Sequence, residues 1–72
     1  MPVLSERLKM LRISNNLTQK DVAEAINTSD RNYRRYEAGT TEPTASVLVA
    51  LANFFNVSID YLVGQSNDPT RH

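Results

Sequence analysis

Three arginines, Arg31, Arg34 and Arg35, fall within five residues of one another, between Asp30 and Glu37. A guanidinium stays charged and presents five N–H donors in a rigid fork, which suits bidentate contact with a carboxylate, a phosphate or a guanine edge. The cluster points to an anionic or hydrogen-bonding partner, although such a run also serves as plain solvated helix surface. Catalytic chemistry lacks its parts. There is no Cys, and the single His is the last residue, His72, so no thiolate nucleophile, zinc finger or His-based general base is available. Asp30, Glu37 and Glu42 supply carboxylates, but no Gly-rich phosphate loop or nucleophile–base pair accompanies them. The expectation is a non-enzyme with no cofactor, no metal and no small-molecule ligand.

The formal net charge of zero argues at first against nucleic acid, but it hides an asymmetry. Residues 1–41 carry Arg7, Lys9, Arg12, Lys20, Arg31, Arg34 and Arg35 against Glu6, Asp21, Glu24, Asp30 and Glu37, a balance of +2. Residues 42–72 carry Arg71 against Glu42, Asp60 and Asp68, a balance of −2. The first part is the one suited to an anion. At 72 residues the chain is one small domain, of a size at which burial barely offsets chain entropy. No apolar run is long enough for a membrane span, and no signal peptide opens the chain. A cytoplasmic domain with no membrane partner is expected.

Five helices can be read from stripes and stops. Leu4, Leu8 and Leu11 recur at i, i+4 and i+7, predicting a helix over 5–15 with Ser5 as cap and Asn16 as left-handed stop. Thr18 opens a second helix, with Asp21 three residues on as a short capping box. Its apolar stripe is Val22, Ala23 and Ile26, and Asn27 ends it. Thr28 or Ser29 caps a third helix to Ala38, with Tyr33 and Tyr36 one turn apart and Gly39 as stop. Residues 40–43 read as extended, because Pro43 disfavours helix before it. Thr44 caps a fourth helix to Phe55, stopped by Asn56, and Ser58 caps a short fifth from Ile59 to Val63, closed by Gly64. The domain spans 1–64, and the polar tail 65–72 is expected to be flexible. The fold class is all-α.

Segments 18–26 and 28–38 have the spacing of a helix-turn-helix. Ala23 is small enough for the helix crossing, and Asn27 tolerates positive φ at the turn. If Tyr33 and Tyr36 point to the core, Asp30, Arg31, Arg34 and Arg35 share the opposite face, as major-groove insertion requires. The two tyrosines could alternatively be stacking platforms. The runs Arg7-Leu8-Lys9-Met10-Leu11-Arg12, Leu17-Thr18-Gln19-Lys20-Asp21-Val22-Ala23, Arg35-Tyr36-Glu37-Ala38-Gly39 with Glu42-Pro43-Thr44, and Asn56-Val57-Ser58-Ile59-Asp60-Tyr61-Leu62-Val63-Gly64 together resemble the Cro/phage-repressor helix-turn-helix family. The resemblance covers residues 5–64.

It implies a compact five-helix, lambda-repressor-like domain that binds double-stranded DNA and regulates transcription, as a repressor of phage or mobile-element type. On the matching positions it implies base reading by Asp30, Arg31 and Arg35, with Arg34 at the edge. Backbone contacts fall to Thr18, Gln19, Ser29, Asn32 and Thr40, and a buried ion pair to Arg12 and Glu37. Asp30 could accept from cytosine or pair with Arg34 at i+4; the pairing is the favoured reading. Three features depart from the family pattern. Asn replaces the usual Gly at 16, 27 and 56, Tyr33 replaces an aliphatic residue, and the loop after Gly39 lacks Lys or Arg for the minor groove. The competing function is a protein-binding helix-turn-helix, antitoxin-like or antirepressor-binding, which an acidic third helix would favour; this one is net basic. One helix reads few base pairs, so a homodimer on a palindromic operator is expected. Adjacent Phe54 and Phe55 cannot both face one core, nor can Leu62 and Val63. That nominates the fifth helix and the end of the fourth as the dimer surface, with Phe54 or Val63 and Tyr61 exposed.

Overall fold

A computed structural model describes residues 2–71; His72 lies outside the described residues. Helices α1 (Pro2–Ser14), α2 (Gln19–Ala25), α3 (Asp30–Ala38), α4 (Ala45–Phe55) and α5 (Ile59–Leu62) follow in order, with no strand among the described residues. Each helix after the first is opened by a hydroxyl. Thr18, Ser29, Thr44 and Ser58 hold extended backbone, and their side-chain oxygens accept from the N–H groups of Asp21, Asn32, Val47 and Tyr61. Caps of this kind are worth about 1 kcal/mol apiece. Thr18 completes the box, its own N–H donating to Asp21 Oδ2 at 2.9 Å.

Several boundaries differ from those expected, and two of the differences bear on packing. α1 begins at Pro2, three residues early, so Ser5 lies inside it rather than capping it. Proline is preorganised for a first turn, where its missing N–H costs nothing, and the earlier start lets Leu4 enter the core. Ser5 instead sits against the end of α3: a Cβ on Gly39 would lie 3.1 Å from its Oγ. α5 ends at Leu62, one residue short. Gly64 then takes φ +86°, and a side chain there would meet Val3 at 2.9 Å, so the turn needs glycine for both space and conformation. Ser29, not Thr28, caps α3.

Leu4 and Leu8 of α1, Val22 and Ala23 of α2, Tyr33 and Tyr36 of α3, Leu51 and Ala52 of α4, and Val57 and Leu62 around α5 make one core. α2 packs on α3, α1 on α3 and α5, and α4 on α5. The two tyrosines are thus core residues and not stacking platforms; their rings meet edge to face at 6.4 Å. Of the residues nominated for an exposed patch, Phe54 is 39% exposed, whereas Tyr61 and Val63 are half-buried. Phe55 packs against the core.

The polar segment 65–71 folds back onto the domain. Ser58 donates its N–H to Pro69 O at 3.0 Å, and Arg71 donates to Ala52 O at 3.2 Å and Asn53 Oδ1 at 2.6 Å. Arg7 reaches across from α1, donating to Tyr61 O, to Ser66 O at 2.7 Å and to Asn67 Oδ1 at 2.9 Å, with its guanidinium 4.1 Å above the Tyr61 ring. Polar composition marked this segment as poor in core residues, but it does not register carbonyls waiting for donors at a helix end.

Asn16, Asn27 and Asn56 hold φ of +57°, +60° and +56°, the left-handed region that a short polar side chain tolerates. Asn27→Gly should therefore be neutral or slightly stabilising. Asn27→Val, β-branched and resisting this region, should lose about 1–3 kcal/mol, as read by urea unfolding. Equal stability of the two variants would contradict the assigned turn.

Candidate nucleic-acid interface

The Arg-bearing helix is held from behind. Tyr33 and Tyr36 bury one side of α3, and Glu37, its side chain only 4% exposed, faces Arg12 of α1. Arg12 Nε donates to Glu37 Oε2 at 2.7 Å and Nη2 to Oε1 at 3.1 Å, the two-pronged arrangement that a planar guanidinium favours. Its remaining nitrogen, Nη1, donates to Leu17 O at 3.0 Å. One side chain thus ties α1 to α3 and to the loop entering α2. This is the ion pair expected at Arg12 and Glu37.

Glu37 holds a third partner. Gln19 Nε2 donates to Glu37 Oε1 at 3.3 Å. An ionised carboxylate can only accept, so the amide must turn its nitrogen inward, leaving its second N–H for another acceptor. The Tyr33 hydroxyl lies alongside the same carboxylate but closes no hydrogen bond of normal geometry. Burial pushes the Glu37 carboxyl up, but the hydrogen bonds from Arg12 and Gln19 and the charge of Arg12 outweigh it and hold the group below the usual carboxylate range. Burial first, and then the neighbouring Glu37, keep the Tyr33 hydroxyl protonated.

On the outer side of α3, Arg34 Nη2 lies 2.9 Å from Asp30 Oδ2, with side chains 64% and 38% exposed. Such an exposed i,i+4 pair adds at most about 0.5 kcal/mol, so its effect is to orient Arg34. Asp30 Oδ1 is shielded and without a partner among the described residues, which leaves it poorly placed to accept from a base. Arg31 and Arg35 are exposed one turn apart, in no ion pair among the described residues. Ser29 Oγ is occupied in capping Asn32 N at 3.0 Å, Asn32 Nδ2 donates to Thr28 Oγ1 at 3.4 Å, and Thr40 Oγ1 donates to Arg35 O at 3.4 Å. Thr18, Ser29, Asn32 and Thr40 are all exposed. Sequence reading passed over Lys9, which shares an open concavity with Gln19 and Arg34; its place one turn before Arg12 was the available signal.

The helix-turn-helix family model matches residues 8–62, which contain this whole arrangement. The chain belongs to the Cro/phage-repressor type of helix-turn-helix proteins. It is 40% identical over 62 residues to the HTH-type transcriptional regulator ImmR of Bacillus subtilis, covering 86% of this chain and 49% of that protein. It is 39% identical over 62 residues to the cryptic phage CTXphi transcriptional repressor RstR of Vibrio cholerae, covering 86% and 55%. Among solved structures, the P22 c2 repressor in complex with a synthetic operator superposes with a TM-score of 0.80 at 26% identity, over 86% of this chain and 94% of that one. The helix-turn-helix domain thus spans about half the length of these curated relatives.

Glu37→Gln should cost this domain about 3 kcal/mol, the lower end of the 3–5 usual for breaking a buried pair, because Arg12 keeps a 15% exposed edge. Replacing Arg12 and Glu37 together by apolar residues should cost much less. A carboxyl depressed by folding contributes stability above its unfolded pKa and loses it as pH falls through the folded value. The gap between parent and Glu37→Gln should accordingly close in acid. Urea unfolding at neutral and acidic pH measures it; a gap independent of pH would contradict the assignment.

Proposed function

We propose that this domain binds double-stranded DNA sequence-specifically and regulates transcription as a repressor, with α3 in the major groove. The observation that carries the reading is the outward pair Arg31 and Arg35, one turn apart and without acidic partners among the described residues, on a helix whose inner side is fixed by Tyr33, Tyr36 and Glu37. The names of its relatives, and the operator bound to its P22 neighbour, support it. Arg31 and Arg35 read guanine edges, each bidentate contact being worth about 1–3 kcal/mol of discrimination. Arg34, steered by Asp30, works at the edge of the groove. Thr18, Gln19, Ser29, Asn32 and Thr40 hold phosphates. Net basic charge on the outer face of α3 favours DNA over a protein as the partner.

Selection from a random duplex pool tests the reading directly. Arg35→Ala should relax preference at one base position of the selected site while leaving the others. A uniform loss across all sequences would move Arg35 to the phosphates.

The operator is palindromic and the protein binds it as a homodimer, because two modules on half-sites about 34 Å apart double a short readout. The surface is that of α5 and the end of α4. Exposed Phe54 stands there, and Val49 and Ile59 line an open groove of about 310 Å³ between the two helices. Sedimentation equilibrium with the selected operator should give two chains per site for the parent and one for Phe54→Asp or Ile59→Asp. One chain per site for the parent would refute the dimer.

A further inference from the structure

The segment after α5 is fastened unequally at its two ends. Its near end is gripped by Arg7, which donates to Ser66 O and Asn67 Oδ1, while Gln65 N–H and Ser66 N–H return to Asp60 O at 2.8 and 3.2 Å. Its far end rests on one backbone bond, Ser58 N–H to Pro69 O, and on the Arg71 guanidinium. From 65 to 71 every residue is exposed except half-buried Ser66, so no apolar burial adds to these bonds. Arg71 meets the end of α4, a helix with no basic residue in its own last turn, where unpaired carbonyls favour a cation. Its bond to Ala52 O is nevertheless redundant. That oxygen already accepts from Asn56 N–H and from Val57 N–H at 3.0 Å, which uses both of its lone pairs. Asn53, the other acceptor, is exposed, so water can take the place of the guanidinium. Arg71 can therefore withdraw without leaving a buried polar group unpaired.

Arg71 also forms one wall of the groove between α4 and α5 that Val49 and Ile59 line. We infer that Arg71 is a gate on this surface: docked on α4 in the free chain, it stands where a second copy has to pack, and it swings out when two chains associate. The inference rests on the dimer reading above and adds regulation to it. Phe54, Val49 and Ile59 are the exposed apolar side chains that a second copy would cover. Covering Arg71 along with them would strip water from a guanidinium, which is unfavourable unless a carboxylate meets it. Asp60 shares the groove lining but is in no ion pair among the described residues. The cation therefore leaves, and the grip of Arg7 on 66 and 67 confines the movement to the far end of the segment. A closed gate on each copy holds free chains apart. An operator that sets two copies side by side raises their effective concentration and opens both gates, so that dimerisation is coupled to DNA.

Sedimentation equilibrium without DNA compares the parent with Arg71→Ala and Asn53→Ala. Both variants unfasten the gate, and Asn53→Ala does so with the Arg71 charge kept. Two gates open per dimer, each worth a factor of about three for a weak hydrogen bond at the surface, so each variant should tighten self-association about tenfold. Tightening by Arg71→Ala alone would reduce the effect to charge repulsion between copies and overturn the gate, as would no change in either. NMR relaxation of Arg71 Nε reads the gate itself. The side chain should be ordered in the free parent, and mobile both in free Asn53→Ala and in the parent on its selected operator. An Arg71 that stays ordered in a complex of two chains per site overturns the gate and leaves the dimer standing. One chain per site removes the dimer, and the gate with it.

Discussion

Withdrawing the Glu37 carboxylate from water is tolerable only because Arg12 meets it with two N–H groups, and much of the exposed surface is arranged by that requirement. Desolvation would otherwise cost several kcal/mol. The partner has to come from α1, so α1 and α3 are held at one separation and one rotation about their axes. With Glu37 turned inward beside Tyr33, the 3.6-residue period sends Arg31 and Arg35 outward. The same carboxylate captures Gln19 from α2. Three helices thus converge on one acidic group, and the relative placement of the cations around it is a consequence of its burial.

A chain this small cannot afford loose connections, and its turns show how they are made tight. Every helix after α1 begins on a hydroxyl cap. Left-handed residues follow α1, α2, α3 and α4. Between α2 and α3 the chain reverses around Asn27, where Thr28 N–H reaches back to Ala23 O at 2.9 Å. Ala23 is both the small residue at the helix crossing and the acceptor that closes the turn. Any larger side chain there would separate α2 from α3 and carry Gln19 away from Glu37.

The features legible in the sequence were those with local causes. Cap hydroxyls, left-handed Asn residues and the stripe of Val47, Leu48, Leu51, Ala52 and Phe55 are written in neighbouring positions, so α2, α3 and α4 could be bounded closely. The pair of Arg12 and Glu37, 25 residues apart, was reachable through family resemblance alone, since no local pattern joins them. The place of Lys9 beside Gln19 and Arg34 stayed hidden for a related reason: it depends on where α1 crosses α2 and α3. The α1 boundary was missed because Ser5 offers a plausible cap while Pro2 and Leu4 offer a better start. The docking of 65–71 left little trace in the sequence because most of its hydrogen bonds engage a backbone group, which every sequence possesses.

Arg7 makes its hydrogen bonds to residues 54, 59 and 60 positions away, close to the whole length of the chain. Short helices joined by tight turns form from nearby contacts, early in folding and at low entropic cost. A contact closing a loop of this size becomes available only when α5 and the segment after it have already docked on α1. Its stabilisation is then absent from the folding transition state and present in the native state. Contacts of that kind slow unfolding without hastening folding. Lacking any covalent link between its ends, the domain has in Arg7 a latch that sets how long a folded molecule lasts rather than how quickly one is made.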